Sequence, residues 1–253
     1  MTENLFEKLT YLIKTSSAYL LDLVYPRFCL ACQVNLQGTD NAYYVCLNCA
    51  NKIEKISQTD ACLKCGESLG PYVGTRRRCR NCETIHLKFD RAIGAARYDG
   101  VLRELIHRYK YNGEKLLVDF LAELLKNKLA DENGLLKEIN LIIPVPLHPA
   151  RLRERGFNQS ELLARYLSRS LNIPVSQNHL VRVKKLPPQA TLSRPERLRN
   201  LRDAFNVKNI NPFKNKNILL IDDVLTTGAT ASSIADTLKK AGAGKVYVAV
   251  VGR

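Results

Sequence analysis

The chain has 253 residues, 45% of them hydrophobic, and its 39 Lys and Arg against 24 Asp and Glu leave a formal charge of +15. That is enough apolar material for a buried core in one large domain or two smaller ones, which excludes a disordered polar chain. The charge favours polyanionic partners, phosphorylated substrates or nucleic acid, without choosing among them.

Residues 1–24 are expected to form an N-terminal amphipathic helix. Leu5, Leu9, Leu12, Ile13, Leu20 and Leu23 supply its apolar side, packed on the body of the protein. Glu7, Lys8, Lys14 and Asp22 interrupt any apolar run, which excludes a spanning helix, a signal core and stable membrane insertion. The expected setting is therefore cytoplasmic, with reduced thiols.

Residues 25–83 carry all eight cysteines, as four Cys-x-x-Cys pairs. They are Cys29/Cys32, Cys46/Cys49, Cys62/Cys65 and Cys79/Cys82, separated by 13, 12 and 13 residues. This is a tandem repeat in which each unit offers four thiolates, a closed tetrahedral set for one structural Zn²⁺. Two zinc ribbons follow, folded by metal because the segment is too short and polar for its own core. Short loop closure favours pairing the first knuckle with the second and the third with the fourth, with interleaving the alternative. An iron–sulfur cluster or redox dithiols are the competing chemistry, but no thioredoxin-like βαβ pattern surrounds the motifs. Arg76, Arg77, Arg78 and Arg80 around the last knuckle read equally as a solvated loop or as a patch for nucleic-acid phosphates.

Between residues 84 and 140, Phe89–Tyr98 has an extended pattern and Asp99-Gly100 marks a turn. Val101, Leu102, Leu105, Ile106 and Tyr109 then recur at helical spacing, and Leu116–Leu129 repeats the pattern. Both stripes read as core. Tyr98, Arg103, His107, Lys110, Tyr111 and Lys115 are the polar or amphipathic residues placed to face a pocket from a hood, and His107 is not assigned as a catalytic base.

Leu141–Val145 reads as an apolar strand closed by Pro144 and Pro146. Arg151, Arg153 and Arg155 follow at alternate positions, and Asn158 or Ser160 can cap a helix carrying Leu162, Leu163, Tyr166 and Leu167. Arginines beside a strand end and a helix N-terminus suit a pyrophosphate clamp, and otherwise form a basic surface loop. From Arg151 to Arg202 there are twelve Lys and Arg against three acids. Pro187-Pro188 excludes helix, and a new helix is expected to start near Ser193-Arg194-Pro195-Glu196-Arg197.

The last stretch, Asn217–Thr230, joins three features. Ile218–Ile221 is an unbroken apolar run suited to a strand buried on both faces of a parallel sheet. Asp222 and Asp223 place two carboxylates at its carboxyl end, where open α/β sheets bind ligands. Thr226, Thr227, Gly228, Ala229 and Thr230 make a small hydroxyl-rich turn into a helix, a site for phosphate. Carboxylates repel phosphate but accept hydrogen bonds from a vicinal diol. A diol at one end and a monophosphate at the other describe a ribose 5-phosphate. The Gly-Lys-Ser/Thr loop of nucleoside triphosphatases and the Gly-x-Gly-x-x-Gly of dinucleotide folds are both missing.

Leu219–Thr230 resembles the signature of type I phosphoribosyltransferases. Ile143–Ala164 and Pro188–Arg197, with Asn200, Phe205 and the cysteine ribbons, resemble the ComF family, and the likeness runs along nearly the whole chain. The resemblance implies an α/β fold: a type I phosphoribosyltransferase-like parallel sheet with helices on both faces, spanning 84–253 (hood 84–140, core 141–253) behind the double zinc ribbon. It implies binding of phosphoribosyl pyrophosphate with Mg²⁺, and a link to DNA uptake in competent bacteria. Asp222 and Asp223 are then the catalytic pair, Thr226–Thr230 the phosphate loop, and Arg151, Arg155, Arg194 and Arg197 the pyrophosphate contacts, the last two on a lid. The alternative is a non-catalytic protein binding single-stranded DNA and other competence proteins while retaining a phosphosugar site.

Overall fold

The computed structural model describes residues 26–36, 43–69, 78–184, 201 and 203–253. The expected N-terminal helix, Arg76, Arg77 and the lid residues Arg194 and Arg197 lie outside that set.

The frame is a four-stranded sheet. Its strands are β3 (Arg91–Ala96), β4 (Leu141–Pro144), β7 (Ile218–Val224) and β8 (Val246–Gly252), in the order β3-β8-β7-β4. All three pairings are parallel, with Ile221 opposite Ala249 and Pro144. The sheet lies between two apolar layers, so its strands are near-continuous runs of Val, Ile, Leu and Ala rather than alternating ones.

Alternate strand residues divide the core in two. Ile93, Ile142, Leu219, Ile221, Ala249 and Val251 face helices α3 (Gly100–Tyr111), α4 (Leu117–Ala130) and α7 (Gln159–Leu171). Ala92, Leu141, Ile143, Leu220, Val248 and Val250 face helix α8 (Ala229–Lys240), together with Phe89, Phe205 and Phe213. Helices therefore cover both faces, as the resemblance implies. Helix α4 buries Leu117, Leu121, Leu125 and Leu129 at a spacing of four, one face of a helix. Each such side chain stabilises the fold by about 1.5–3 kcal/mol relative to an exposed one.

The cysteine segment wraps the sheet edge. It contains the hairpin β1 (Arg27–Phe28) and β2 (Asn35–Leu36), and helices α1 (Leu47–Asn51) and α2 (Arg80–Thr84). Backbone between and within the ribbons hydrogen-bonds the free edge of β3: Ile56 N–H to Ala95, Ala92 N–H to Lys64, and Arg97 N–H to Glu54. An edge strand left bare would template pairing with other chains. The two ribbons pack on opposite faces, Cys29 and Cys49 with the α3–α4–α7 layer and Cys62, Cys65 and Cys82 with the α8 layer. Although β3 lies in the segment expected as a hood, it is a strand of the main sheet.

Residues after β4 depart from the loop that the basic pattern suggests. They form helix α6 (Pro149–Arg155), with Pro at its start and the His148 side chain accepting from Ala150 N–H at 3.2 Å. Proline fits a first helical turn, where its missing N–H has no partner to lose. The helix stops at Gly156, whose φ is +77°. A short helix α5 (Leu135–Glu138) and the two-stranded ribbon β5 (Leu180–Arg182) and β6 (Phe205–Val207) complete the described elements.

Candidate active site and metal centres

The two acids occupy the carboxyl end of β7. Asp223 is buried, and its Oδ1 lies 2.8 Å from Lys110 Nζ on α3. Asp222 accepts from Ser160 Oγ at 2.8 Å and from the Asp223 N–H at 3.0 Å. Burial, with Asp223 beside it, pushes the Asp222 carboxyl up to about 7 against the opposing pull of Lys110 and Ser160. Desolvation pulls the Lys110 pKa down, but the charge and hydrogen bond of Asp223, with Asp222 and Tyr98 nearby, leave it raised on balance.

Two neighbouring segments hold this arrangement. Asn158 caps α7 by accepting from Ser160 N–H at 3.1 Å, and its amide donates to Val145 O at 3.0 Å. That pins the first turn of α7 to the end of β4 and aims Ser160 at Asp222. Tyr109, fully buried, donates to Gln159 O at 3.0 Å and locks α3 to the same turn.

The Thr226–Thr230 turn follows β7 after Leu225. Gly228 has φ +76° and forms the N-cap of α8. Only glycine adopts that conformation without cost, and the first amides of a helix have no carbonyl partner within it. Thr227 Oγ1 accepts from Ala229 N–H at 3.3 Å.

Helix α6 separates the three arginines. On a helix, alternate positions point about 200° apart. Arg151 and Arg155 are accordingly half-buried and Arg153 is exposed. Arg155 donates to Gln159 Oε1 at 2.7 Å and stacks over Tyr111 at 4.9 Å. Arg182, on β5, is close enough to Arg151 and Asp222 to feel both: burial and Arg151 lower its pKa, and Asp222 raises it. Gln159 Nε2 and Arg182 Nε are buried donors with no partner among the described residues.

Sequence reading missed Ser160 and Arg182 as members of this cluster, and proposed Lys110 only as one of six pocket-facing residues. A helix cap and serine that precede a strand-end acid by about 60 residues carry no signal that the two meet. Of the other five, Arg103 and His107 are exposed, and Tyr111 is 60% exposed beneath Arg155.

The cysteines gather as two sets of four. Cys29, Cys32, Cys46 and Cys49 have their Sγ atoms within 4.8 Å of one another, as do Cys62, Cys65, Cys79 and Cys82. Sequential pairing is therefore the arrangement adopted. Cys32 and Cys46 sulfurs are 3.7 Å apart, and Cys65 and Cys79 sulfurs 3.6 Å. A tetrahedron with Zn–S bonds of about 2.3 Å has S···S edges of about 3.8 Å, so the donor set fits Zn²⁺. The N–H groups of Ala31 and Cys46 point at Cys29 Sγ, and that of Cys79 at Cys62 Sγ, as thiolate ligands require. Four ligands close each site, so bound zinc would organise the fold and leave no position for substrate.

A double zinc ribbon family model matches residues 20–83. Competence protein F of Haemophilus influenzae is 34% identical over 223 residues, covering 87% of this chain and 94% of that protein. The chain belongs to the ComF family. The DNA utilization protein YhgH of Shigella flexneri is 31% identical over 230 residues, covering 89% of this ComF chain and 96% of that protein. Among solved structures, a purine phosphoribosyltransferase from Pyrococcus horikoshii overlays with a TM-score of 0.31 and 20% identity, over 52% of this chain and 68% of that one. An overlay that loose has no bearing on the reaction. Among the described residues, no helix of this ComF chain is long and apolar enough to cross a membrane.

Proposed function

We propose that the protein binds phosphoribosyl pyrophosphate at the end of β7 and acts as a phosphoribosyltransferase in DNA uptake. The observation that carries this reading is the juxtaposition of two positioned carboxylates with a helix N-terminus five residues later. Asp222 and Asp223 accept from the ribose hydroxyls, and the Thr226–Thr230 amides and hydroxyls hold the 5-phosphate. Arg151 and Arg155 meet the pyrophosphate, with Arg182 as a third cation beside Asp222. Gln159 Nε2 and Arg182 Nε, without partners among the described residues, support a ligand here, since buried donors without partners are rare.

Each acid is already engaged, Asp223 by Lys110 and Asp222 by Ser160, so the pair offers no carboxylate cage. That donor set fits Mg²⁺ carried mainly by substrate phosphates, with Asp222 and Asp223 as the nearby protein oxygens, and the ion would supply charge neutralisation for the departing pyrophosphate. The chain's own work is positioning and charge. As the C1–O bond to pyrophosphate breaks, its electron pair leaves with pyrophosphate towards the arginines, and the acceptor's lone pair closes on C1. Lys110 holds Asp223 in place, and Ser160 does the same for Asp222. Incubation with labelled phosphoribosyl pyrophosphate and a panel of nucleobases and oligonucleotides tests transfer. Release of pyrophosphate dependent on one acceptor supports it, and no release with any acceptor removes the enzyme.

The +15 charge and the naming of a relative for DNA utilization favour a second role, binding of single-stranded DNA, in a protein also able to meet other competence proteins. Affinity for an oligonucleotide should fall steeply with salt. A flat response excludes phosphate contacts.

A further inference from the structure

Arg253, one residue beyond β8, joins two parts of the molecule that the proposed reaction treats separately. Its Nε donates to Cys65 O at 2.7 Å and its Nη2 to Cys65 Sγ at 3.2 Å, while Nη2 lies 2.8 Å from the Glu67 carboxylate. On the other side of the fork, Nη1 donates to Leu225 O at 2.9 Å and to Thr226 O at 2.8 Å. Those carbonyls enter the Thr226–Thr230 turn, and Cys65 belongs to the second cysteine set. The side chain is only 5% exposed.

The fold makes room for this bridge. A Cβ at Gly94, in the middle of β3, would lie 2.5 Å from the Arg253 Cβ. A Cβ at Gly66 would lie 2.9 Å from Ala92 O, where φ is already +69°. Glycine inside a strand marks close approach of another chain segment, and here that segment is the arginine. Backbone bonds from Arg253 N–H to Ala96 O and from Tyr98 N–H to Arg253 O fix where the side chain starts.

We propose that Arg253 is a positioning residue through which occupancy of the Cys62/Cys65/Cys79/Cys82 site sets the order of the Thr226–Thr230 loop. Four thiolates on Zn²⁺ carry a net negative charge, and a guanidinium on one of those sulfurs is a charge-assisted contact. Metal loss removes the cross-link that holds the four sulfurs together and frees the second ribbon, so the fork loses its anchor and the loop carbonyls lose theirs. The first ribbon has no such bridge among the described residues. The consequence for ligand binding rests on reading Thr226–Thr230 as the phosphate loop, but the coupling is measurable without ligand.

Hydrogen–deuterium exchange at residues 226–230 tests it on the full zinc-loaded chain. Arg253→Gln should speed exchange there about thirtyfold, the loss of two ordinary hydrogen bonds. Gly94→Ala, which displaces the arginine stem, should reproduce the effect with both zincs retained. Cys79→Ser should open the loop, Cys32→Ser should not, and Cys79→Ser should add nothing further in an Arg253→Gln background. Unchanged exchange in Arg253→Gln, equal opening by Cys32→Ser, or additive effects of Cys79→Ser and Arg253→Gln would each overturn the coupling. Should Cys79→Ser fail to fold, the Arg253→Gln and Gly94→Ala results decide alone. Failure of the wild type to bind phosphoribosyl pyrophosphate sinks the proposed function and leaves these exchange results standing.

Discussion

Lys110 and Asp223 form a buried ion pair whose loss has a definite cost in stability. Their side chains are 19% and 8% exposed, so the pair is largely desolvated. Removing one member of such a pair strands the other charge, at a cost of about 3–5 kcal/mol. Lys110→Met should therefore lower unfolding free energy by that order in denaturant titration, and adding Asp223→Asn should recover much of it. Simple additivity of the two changes would show that the pair carries no such penalty. Asp222 makes a prediction with a definite sign. Burial beside Asp223 pushes its folded carboxyl up to about 7, above the ordinary aspartate value of about 3.9. Between those values the folded state binds the proton more tightly than the unfolded chain, so stability from this group falls as pH rises through that window. Asp222→Asn should flatten that part of the stability–pH curve, and an unchanged curve would mean that Asp222 ionises normally.

At the scale of elements, the helical phase of α6 decides which arginines can serve the site. Arg151 and Arg155 share the inward side and Arg153 does not. Pyrophosphate affinity should drop about tenfold or more for Arg151→Ala and Arg155→Ala, as loss of a charge-assisted contact requires, and barely change for Arg153→Ala. Equal losses at all three positions would mean a diffuse basic surface instead. The alternating arginines gave no hint of this, because a strand-like spacing and a helix both present Arg-x-Arg-x-Arg. Pro149 and the left-handed Gly156 were the signals that a short helix fits there. The ribbons, by contrast, are legible from spacing alone: four Cys-x-x-Cys pairs admit few geometries. Elemental analysis should give two zinc atoms per chain, and Cys32→Ser should remove one and leave the other. Loss of both would show that the ribbons do not bind independently.

The whole molecule is a parallel sheet with Asp222 and Asp223 at the carboxyl end of a central strand and with its β3 edge closed by the cysteine segments. Much of this was readable in advance. Unbroken apolar runs at Ile218–Ile221 and Leu141–Val145 announced buried parallel strands, and Asp222 and Asp223 stand near the carboxyl end of the first. Contacts between distant segments were not readable: Ser160 reaches Asp222 across 62 residues, and Arg253 reaches Cys65 across 188. No local pattern encodes such pairs, which arise only when parallel crossovers stack their strand ends together. Calorimetric titration of phosphoribosyl pyrophosphate with Mg²⁺ into the wild type and into the Asp222→Asn/Asp223→Asn double variant goes most directly to the central claim. Saturable binding by the wild type and its loss in the double variant is the result expected, and equal affinity in the two proteins would contradict the assignment of these acids to the sugar.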